Sequence, residues 1–290
     1  MSKTTRIAHL TDFHFNNMKN VKIKSMLSKR LYGYIFWNCS KGKRFDFSLL
    51  NTISLDIKNE KLDYITVTGD ISNVCLPSQF IKAKDYIYSL IDSEKISVIP
   101  GNHDYYTFSG KKHYGNIFKD FSNLPYVKTF NNIAIFGIDS SIVTPPFFSY
   151  GYVKKNQFEK LSKLLESVDK KYFKILLIHH PPVKGITSFK KCLLNSKKMT
   201  NNLLCKGDFN LVLHGHTHNF NIKYFDLPNS KIPIVSAAPL FYKVKKLQQA
   251  GGYNIYEISH NNERWSVTLR RKIYDYEKNC FYEKTIDLLP

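Results

Sequence analysis

Five short segments of this 290-residue chain carry side chains that could hold metal ions. They are Asp12 and His14 in TDFH, Asp70 in GD, Asn102 with His103 and Asp104 in GNHD, His179 in HHPP, and His216 and His218 in HGHTH. Carboxylates, imidazoles and one amide oxygen, with no thiolate among them, make a hard-to-borderline donor set suited to Mn²⁺, Fe, Co²⁺ or Zn²⁺. The set is larger than one tetrahedral ion needs. Two cations sharing a bridging carboxylate would use it, and a pair about 3.5–4 Å apart can clamp both the attacking and the leaving oxygen of a phosphoryl displacement. Taken singly, DxH and GD are chance patterns and HHPP is more often a turn, so the weight rests on the ordered series.

Something must bring together residues as far apart as 12 and 218. Seven apolar runs read as strands, at residues 6–10, 62–68, 95–100, 132–139, 174–180, 210–216 and 232–237, and five of them end in the segments above. Between them lie stretches of helical period: Leu49, Leu50, Ile53 and Ile57 near an Asp46 N-cap, Phe80, Ile87, Leu90 and Ile91 after Pro77, and Phe158, Leu161, Leu164, Leu165 and Val168. Strands alternating with helices give an α/β fold, in which ligands bind beyond the carboxyl ends of the strands. Asp12 and His14 are two apart, as are His216 and His218, so on extended backbone each pair points to one side. Gly69, Gly101 and Gly215 would permit close backbone approach. With no linker or repeat, we expect one domain over residues 1–245 with a basic insert at 18–45, and antiparallel strands over 246–290 completing it.

Lysine and arginine number 43 against 23 acidic residues, a net charge of +20 that favours anionic partners. The five cysteines form no CxxC pair, which argues against a disulfide framework. No apolar run approaches the roughly 18 residues of a spanning helix. We therefore expect a cytoplasmic protein, with a peripheral place on the inner face of the membrane as an extension of that reading. Nucleic acid is a disfavoured partner, because no recognition motif accompanies the charge.

The series Asp12-x-His14, Gly69-Asp70, Gly101-Asn102-His103-Asp104, His179 and Gly215-His216-x-His218 resembles the calcineurin-like metallophosphoesterase family over residues 5 to 245. That resemblance implies a four-layer α/β/β/α sandwich of two mixed β-sheets flanked by helices. It implies one divalent metal on Asp12, His14, Asp70 and His218 and a second on Asp70, Asn102, His179 and His216, with Asp70 bridging. Mn²⁺ is the first candidate, Fe or Zn²⁺ the next. The implied reaction is attack of metal-activated hydroxide on a phosphodiester or pyrophosphate. His103 would donate a proton to the leaving oxygen and Asp104 would orient it. His180 and His214 read as supporting histidines, and His9 as a core residue.

Departures from the family narrow the group. After Gly69-Asp70 the chain lacks the aspartate and arginine of protein Ser/Thr phosphatases, and Asn73 stands where purple acid phosphatases carry tyrosine. The pattern is more similar to a bacterial group containing cyclic-nucleotide phosphodiesterases, glycerophosphodiesterases and the pyrophosphatases of lipid A synthesis. Between Phe13 and Asp46 there is no acid, but Lys19, Lys22, Lys24, Lys29, Arg30, Lys41, Lys43 and Arg44 lie among Leu27, Leu31, Tyr34, Ile35, Phe36 and Trp37. Such a segment reads as an element that could touch anionic membrane, or as a basic helix whose aromatics pack on the domain. It partly resembles an insert of enzymes that cleave UDP-diacylglucosamine. Arg30 and Trp37, with Lys184 and Lys190 from a second basic stretch, are the candidate substrate contacts. The expected substrate is an anionic phosphorylated small molecule or lipid. Alternatives are a 3',5'-cyclic-nucleotide phosphodiesterase, a nuclease, and a scaffold on a phosphoesterase fold.

Overall fold

Strands buried on both faces read as continuous apolar runs. Here they build two six-stranded sheets in a computed structural model that describes residues 4–18, 21, 26, 28–206, 208–244, 246–261 and 264–289. In chain order the strands are β1 (Thr5–Leu10), β2 (Tyr64–Val67), β3 (Ile96–Val98), β4 (Tyr126–Phe130), β5 (Ile133–Gly137), β6 (Phe173–Leu177), β7 (Leu211–His214), β8 (Asn221–Leu227), β9 (Ser230–Ser236), β10 (Gly252–Asn261), β11 (Arg264–Asp275) and β12 (Cys280–Leu289). The α-helices are α1 (Lys29–Cys39), α2 (Leu50–Asn59), α3 (Pro77–Leu90), α4 (Phe108–Ile117), α5 (Lys155–Glu166) and α6 (Ser196–Asn202). The first sheet runs β12-β11-β10-β1-β2-β3 and the second β4-β5-β6-β7-β9-β8. Both are mixed. β1, β2 and β3 are parallel while β10 joins β1 antiparallel, and β5, β6, β7 and β9 are parallel between antiparallel edges β4 and β8.

Side-chain alternation along each strand sorts the core into three apolar layers. Ile7, Ile133, Ile135, Ile175, Leu177 and Leu213 meet between the sheets. The opposite faces, Ala8, Leu10, Ile65 and Val67 in one sheet and Ala134, Phe136 and Leu176 in the other, pack on α2 and α3 and on α5 respectively. This is the four-layer sandwich that the resemblance implies.

Asp46 caps the turn that leads into α2, its carboxylate accepting from Ser48 N at 3.1 Å. The helix α4 and the edge strands β4 and β8 were not legible as apolar patterns, because α4 buries only Gly110 and Tyr114 and β8 buries none of its side chains. All five cysteines are free. Among the described residues no helix is long and apolar enough to cross a membrane.

In the basic segment, Lys19, Lys22, Lys24 and Leu27 lie outside the described residues. Its helix α1 starts at the Ser28 cap and turns Arg30, Gly33 and Trp37, spaced for one helical face, toward the body. The opposite face, Leu31, Tyr32, Ile35 and Phe36, stays 43 to 58% exposed.

Candidate dinuclear metal site

The loops that leave β1, β2, β3, β6 and β7 converge at one end of the sandwich. Backbone hydrogen bonds tie them together: Asp12 N donates to Gly69 O at 3.0 Å, His14 N to Asp70 O at 2.9 Å, and Gly215 N to His179 O at 3.2 Å. Asp12, His14, Asp70, His216 and His218 all have left-handed backbone, with φ between 49° and 70°. The expectation that DxH and HxH aim their pairs through extended backbone is therefore corrected. Each side chain is turned inward by a conformation costing of order 1–3 kcal/mol, which persists only where the surroundings enforce it. Two glycines supply the tight packing. A Cβ on Gly101 would run into the carboxylate and backbone nitrogen of Asp70, and one on Gly215 into the hydroxyl of Thr11.

Two groups of ligand-type atoms result. Asp12, His14, Asp70 and His218 form one and Asp70, His179 and His216 the other, each with its ligand atoms within 4.8 Å of one another. Asp70 belongs to both, its Oδ1 lying 3.4 Å from His179 Nε2 and its Oδ2 3.8 Å from His14 Nε2. Burial and the neighbouring Asp12 hold the Asp70 carboxyl well above its ordinary pKa.

The donor orientations fit cations. His179 Nδ1 donates to Thr68 O at 2.6 Å and His216 Nε2 to Lys191 O at 2.9 Å. These bonds fix each ring so that its other nitrogen faces Asn102 Oδ1, at 3.2 and 2.8 Å. Burial lowers the pKa of both imidazoles, so their inward nitrogens are lone pairs that face an amide oxygen with no donor between them. Asp12 Oδ1 is likewise buried without a hydrogen-bond donor, although His218 Nε2 stands 3.2 Å away. Converging acceptors of this kind suit positive ions.

A family model described as calcineurin-like phosphoesterase matches residues 5–220. The chain belongs to the calcineurin-like phosphoesterase family. Among solved structures, it is similar to a dimetal phosphatase from Danio rerio at 14% identity and a TM-score of 0.63, with 98% of each chain covered. Vps29 of Entamoeba histolytica complexed with zinc aligns at 10% identity and a TM-score of 0.42, over 98% of this chain and 99% of that one. No curated protein matches in sequence. Family membership makes the protein a phosphoester hydrolase.

In this phosphoesterase His103 lies inside the site with its ring fixed. Nδ1 donates to Asn73 O at 2.6 Å, and Tyr106 stacks on the ring with centroids 5.4 Å apart. Its Nε2 faces inward, 3.3 Å from Lys41 Nζ. Asp104 does not orient it, contrary to the expectation above. Its carboxylate accepts from Gly101 N at 2.8 Å, Ser72 N at 2.9 Å and Ser72 Oγ at 2.8 Å, so it fastens the GNHD loop to the loop after Asp70. Only Gly101 is local to it; the Ser72 donors come from the facing loop, so the carboxylate is engaged in holding the two loops together.

The candidate substrate contacts fare differently. Arg30 is buried, and its guanidinium donates to Val74 O at 3.0 Å, Cys75 O at 3.2 Å and Ser109 Oγ at 3.0 Å, which pins α1 to the body. The Arg30 assignment is corrected. Trp37 is 5% exposed and packs on Phe45 near His14, in the wall of the site. Lys184 is exposed, and Lys190 is exposed with its ammonium over the Phe148 ring at 5.8 Å. The adjacent Lys191 reaches the site, through its carbonyl on His216. The chain also places Lys41 inside, 3.2 Å from His14 Nε2. The sequence had shown it only as one lysine of a basic run.

Three further histidines, His180, His214 and His9, lie beside or beneath the candidate ligands. His180 Nδ1 pairs with Ser140 Oγ at 2.9 Å, and its ring lies 4.5 Å from that of His216. His214 bonds Gly215 O at 3.0 Å and His9 bonds Thr68 Oγ1 at 2.8 Å, beneath the loops that carry the ligands.

Proposed function

We propose that this phosphoesterase hydrolyses a phosphodiester or pyrophosphate bond in an anionic, amphipathic substrate drawn from a membrane surface, using two divalent cations. The observation that carries the two-cation reading is the membership of Asp70 in both ligand groups. The description of the Danio rerio neighbour as a dimetal phosphatase agrees with it. Asp12, His14, Asp70 and His218 would hold one cation and Asp70, Asn102, His179 and His216 the other, with Mn²⁺ first among the candidates. Bound there, the cations acidify water and neutralise phosphate oxygens. With Nδ1–H on the Asn73 carbonyl, His103 would act as the acid only in its doubly protonated form, giving the Nε2 proton to the leaving oxygen and keeping the one on Nδ1.

The amphipathic part of the reading is supported by α1. Leu31, Tyr32, Ile35 and Phe36 form an exposed apolar face, extended by Phe147, whose ring contacts Tyr32 at 4.9 Å. The same helix bonds Thr144 through Lys29, lies against Tyr106 beside His103, and carries Trp37 over His14. An apolar face within an acid-free basic segment suits an anionic lipid surface. UDP-diacylglucosamine, which joins a pyrophosphate to acyl chains, has this chemistry.

Vesicle cosedimentation tests it. Wild-type protein is expected to bind phosphatidylglycerol vesicles and to leave phosphatidylcholine vesicles largely unbound. An Ile35→Ser/Phe36→Ser variant with unchanged circular dichroism should lose about tenfold or more in affinity, since burying one such side chain is worth about 1.5–3 kcal/mol. Equal binding to both lipids, or by both proteins, would contradict the membrane-surface reading.

A further inference from the structure

Lys41 opens the short turn Lys41–Arg44 directly after α1, on the insert and not at a strand end. Its ammonium nevertheless reaches the floor of the site, 3.2 Å from His14 Nε2 and 3.3 Å from His103 Nε2. The turn that delivers it is anchored on both sides. Gly42 lies flat on the Trp37 indole, where a Cβ would come within 2.5 Å of Nε1. Phe45 N donates to Gly42 O at 3.0 Å, Asp46 N to Phe241 O at 2.9 Å, and Lys243 N to Arg44 O at 2.6 Å.

A lysine ammonium carries three donors and a full charge, which is costly to bury without an acceptor of opposite charge. The hydrogen-bond acceptors of Lys41 here are two imidazole nitrogens; Asp70 and Asp12 favour its charge from further off, and both belong to the candidate ligand set. One of those nitrogens is already committed. His14 Nε2 is the atom that faces Asp12, Asp70 and His218, and a cation held by that group takes its lone pair. The ammonium then needs another acceptor between His14 and His103. A phosphate oxygen is what a phosphoryl substrate brings to that place.

We propose that Lys41 donates to a non-bridging oxygen of the substrate phosphate and of the phosphate product, so that the insert supplies anion-binding charge beside the two cations. The proposal rests on the two-cation phosphohydrolase reading. It makes α1 and its following turn a part of the catalytic pocket, coupling the apolar surface on the outside of the insert to a phosphate contact on its inside. Three positive centres around one phosphoryl group also favour a substrate with more than one negative charge, such as a pyrophosphate, over a monoanionic diester.

Calorimetric titration of inorganic phosphate into Mn²⁺-loaded full-length protein tests the assignment, with Mn²⁺ stoichiometry measured on the same samples. Wild type and Lys41→Met should each take up two Mn²⁺, and Lys41→Met should bind phosphate about 10- to 100-fold more weakly, the worth of one hydrogen bond to a charged group. Lys41→Arg, which keeps the charge, should restore part of the loss. In turnover the Lys41→Met deficit should grow from a monoanionic diester to a pyrophosphate. Equal phosphate affinity in wild type and Lys41→Met, both with two Mn²⁺, would overturn the proposal. Loss of Mn²⁺ together with phosphate in Lys41→Met would assign the residue to site construction and overturn it equally. Fewer than two Mn²⁺ in wild type would instead remove the two-cation reading on which the proposal stands.

Discussion

Asp70→Asn is expected to lower kcat by at least about a thousandfold, the upper range for a single electrostatic contact to a reacting group. The side chain stands at the centre of the candidate site. Oδ1 accepts from His103 N at 2.7 Å and lies 3.4 Å from His179 Nε2, while Oδ2 lies 3.8 Å from His14 Nε2. An asparagine keeps the volume and the hydrogen bond from His103, but it presents a donor to one group and no charge to either. Metal stoichiometry should therefore fall below two while the fold persists. A second readout separates electrostatics from collapse. Asp70 is buried beside Asp12, which pushes its carboxyl well above the ordinary pKa, so the charged form is disfavoured in the metal-free protein. The metal-free variant should then melt no lower than metal-free wild type at neutral pH. An Asp70→Asn protein that turns over at the wild-type rate would contradict the bridging role.

His103→Ala should leave both cations bound and cost about 10²- to 10⁴-fold in kcat, the usual range for general acid catalysis, on substrates with poor leaving groups. The ring is aimed by the Asn73 carbonyl at 2.6 Å and by stacking on Tyr106, and its edge meets the His14 ring with centroids 4.5 Å apart, so Mn²⁺ stoichiometry is measured beside kcat to separate proton donation from a disturbed ligand. A p-nitrophenolate leaving group needs little protonation. The deficit should accordingly shrink on bis-p-nitrophenyl phosphate and widen on an alkyl phosphodiester, with KM changing less than kcat. Equal losses on the two substrates would mean that His103 builds the site and does not donate a proton.

The residues that gather around the candidate site were legible in the sequence because each stands directly after an apolar run, and such runs become parallel strands whose ends share one edge. How they aim was not legible. Left-handed backbone at Asp12, His14, Asp70, His216 and His218 depends on loops from distant strands bonding one another, and spacing alone suggested the pleated alternative. The role of Asp104 depended on the same loops, since its donors Ser72 and Gly101 come from two of them. The insert was the hardest part to read. Arg30, Gly33 and Trp37 share one helical face and Leu31, Tyr32, Ile35 and Phe36 share another, and no periodicity says which of two partly apolar faces turns inward. The face carrying the arginine did, because three acceptors in the Val74 to Ser109 region satisfy its guanidinium. Lys41 followed that choice into the site. The polar edge strand β8 and helix α4 escaped notice for a simpler reason, since they bury too little to leave an apolar pattern.

Titrating metal-stripped protein with Mn²⁺ while following hydrolysis of bis-p-nitrophenyl phosphate tests the two-cation chemistry most directly. The stripped protein should be folded and inactive, and activity should rise to its plateau as two equivalents bind. Full activity at one equivalent, or none with any divalent cation in a folded protein, would contradict a two-metal phosphohydrolase.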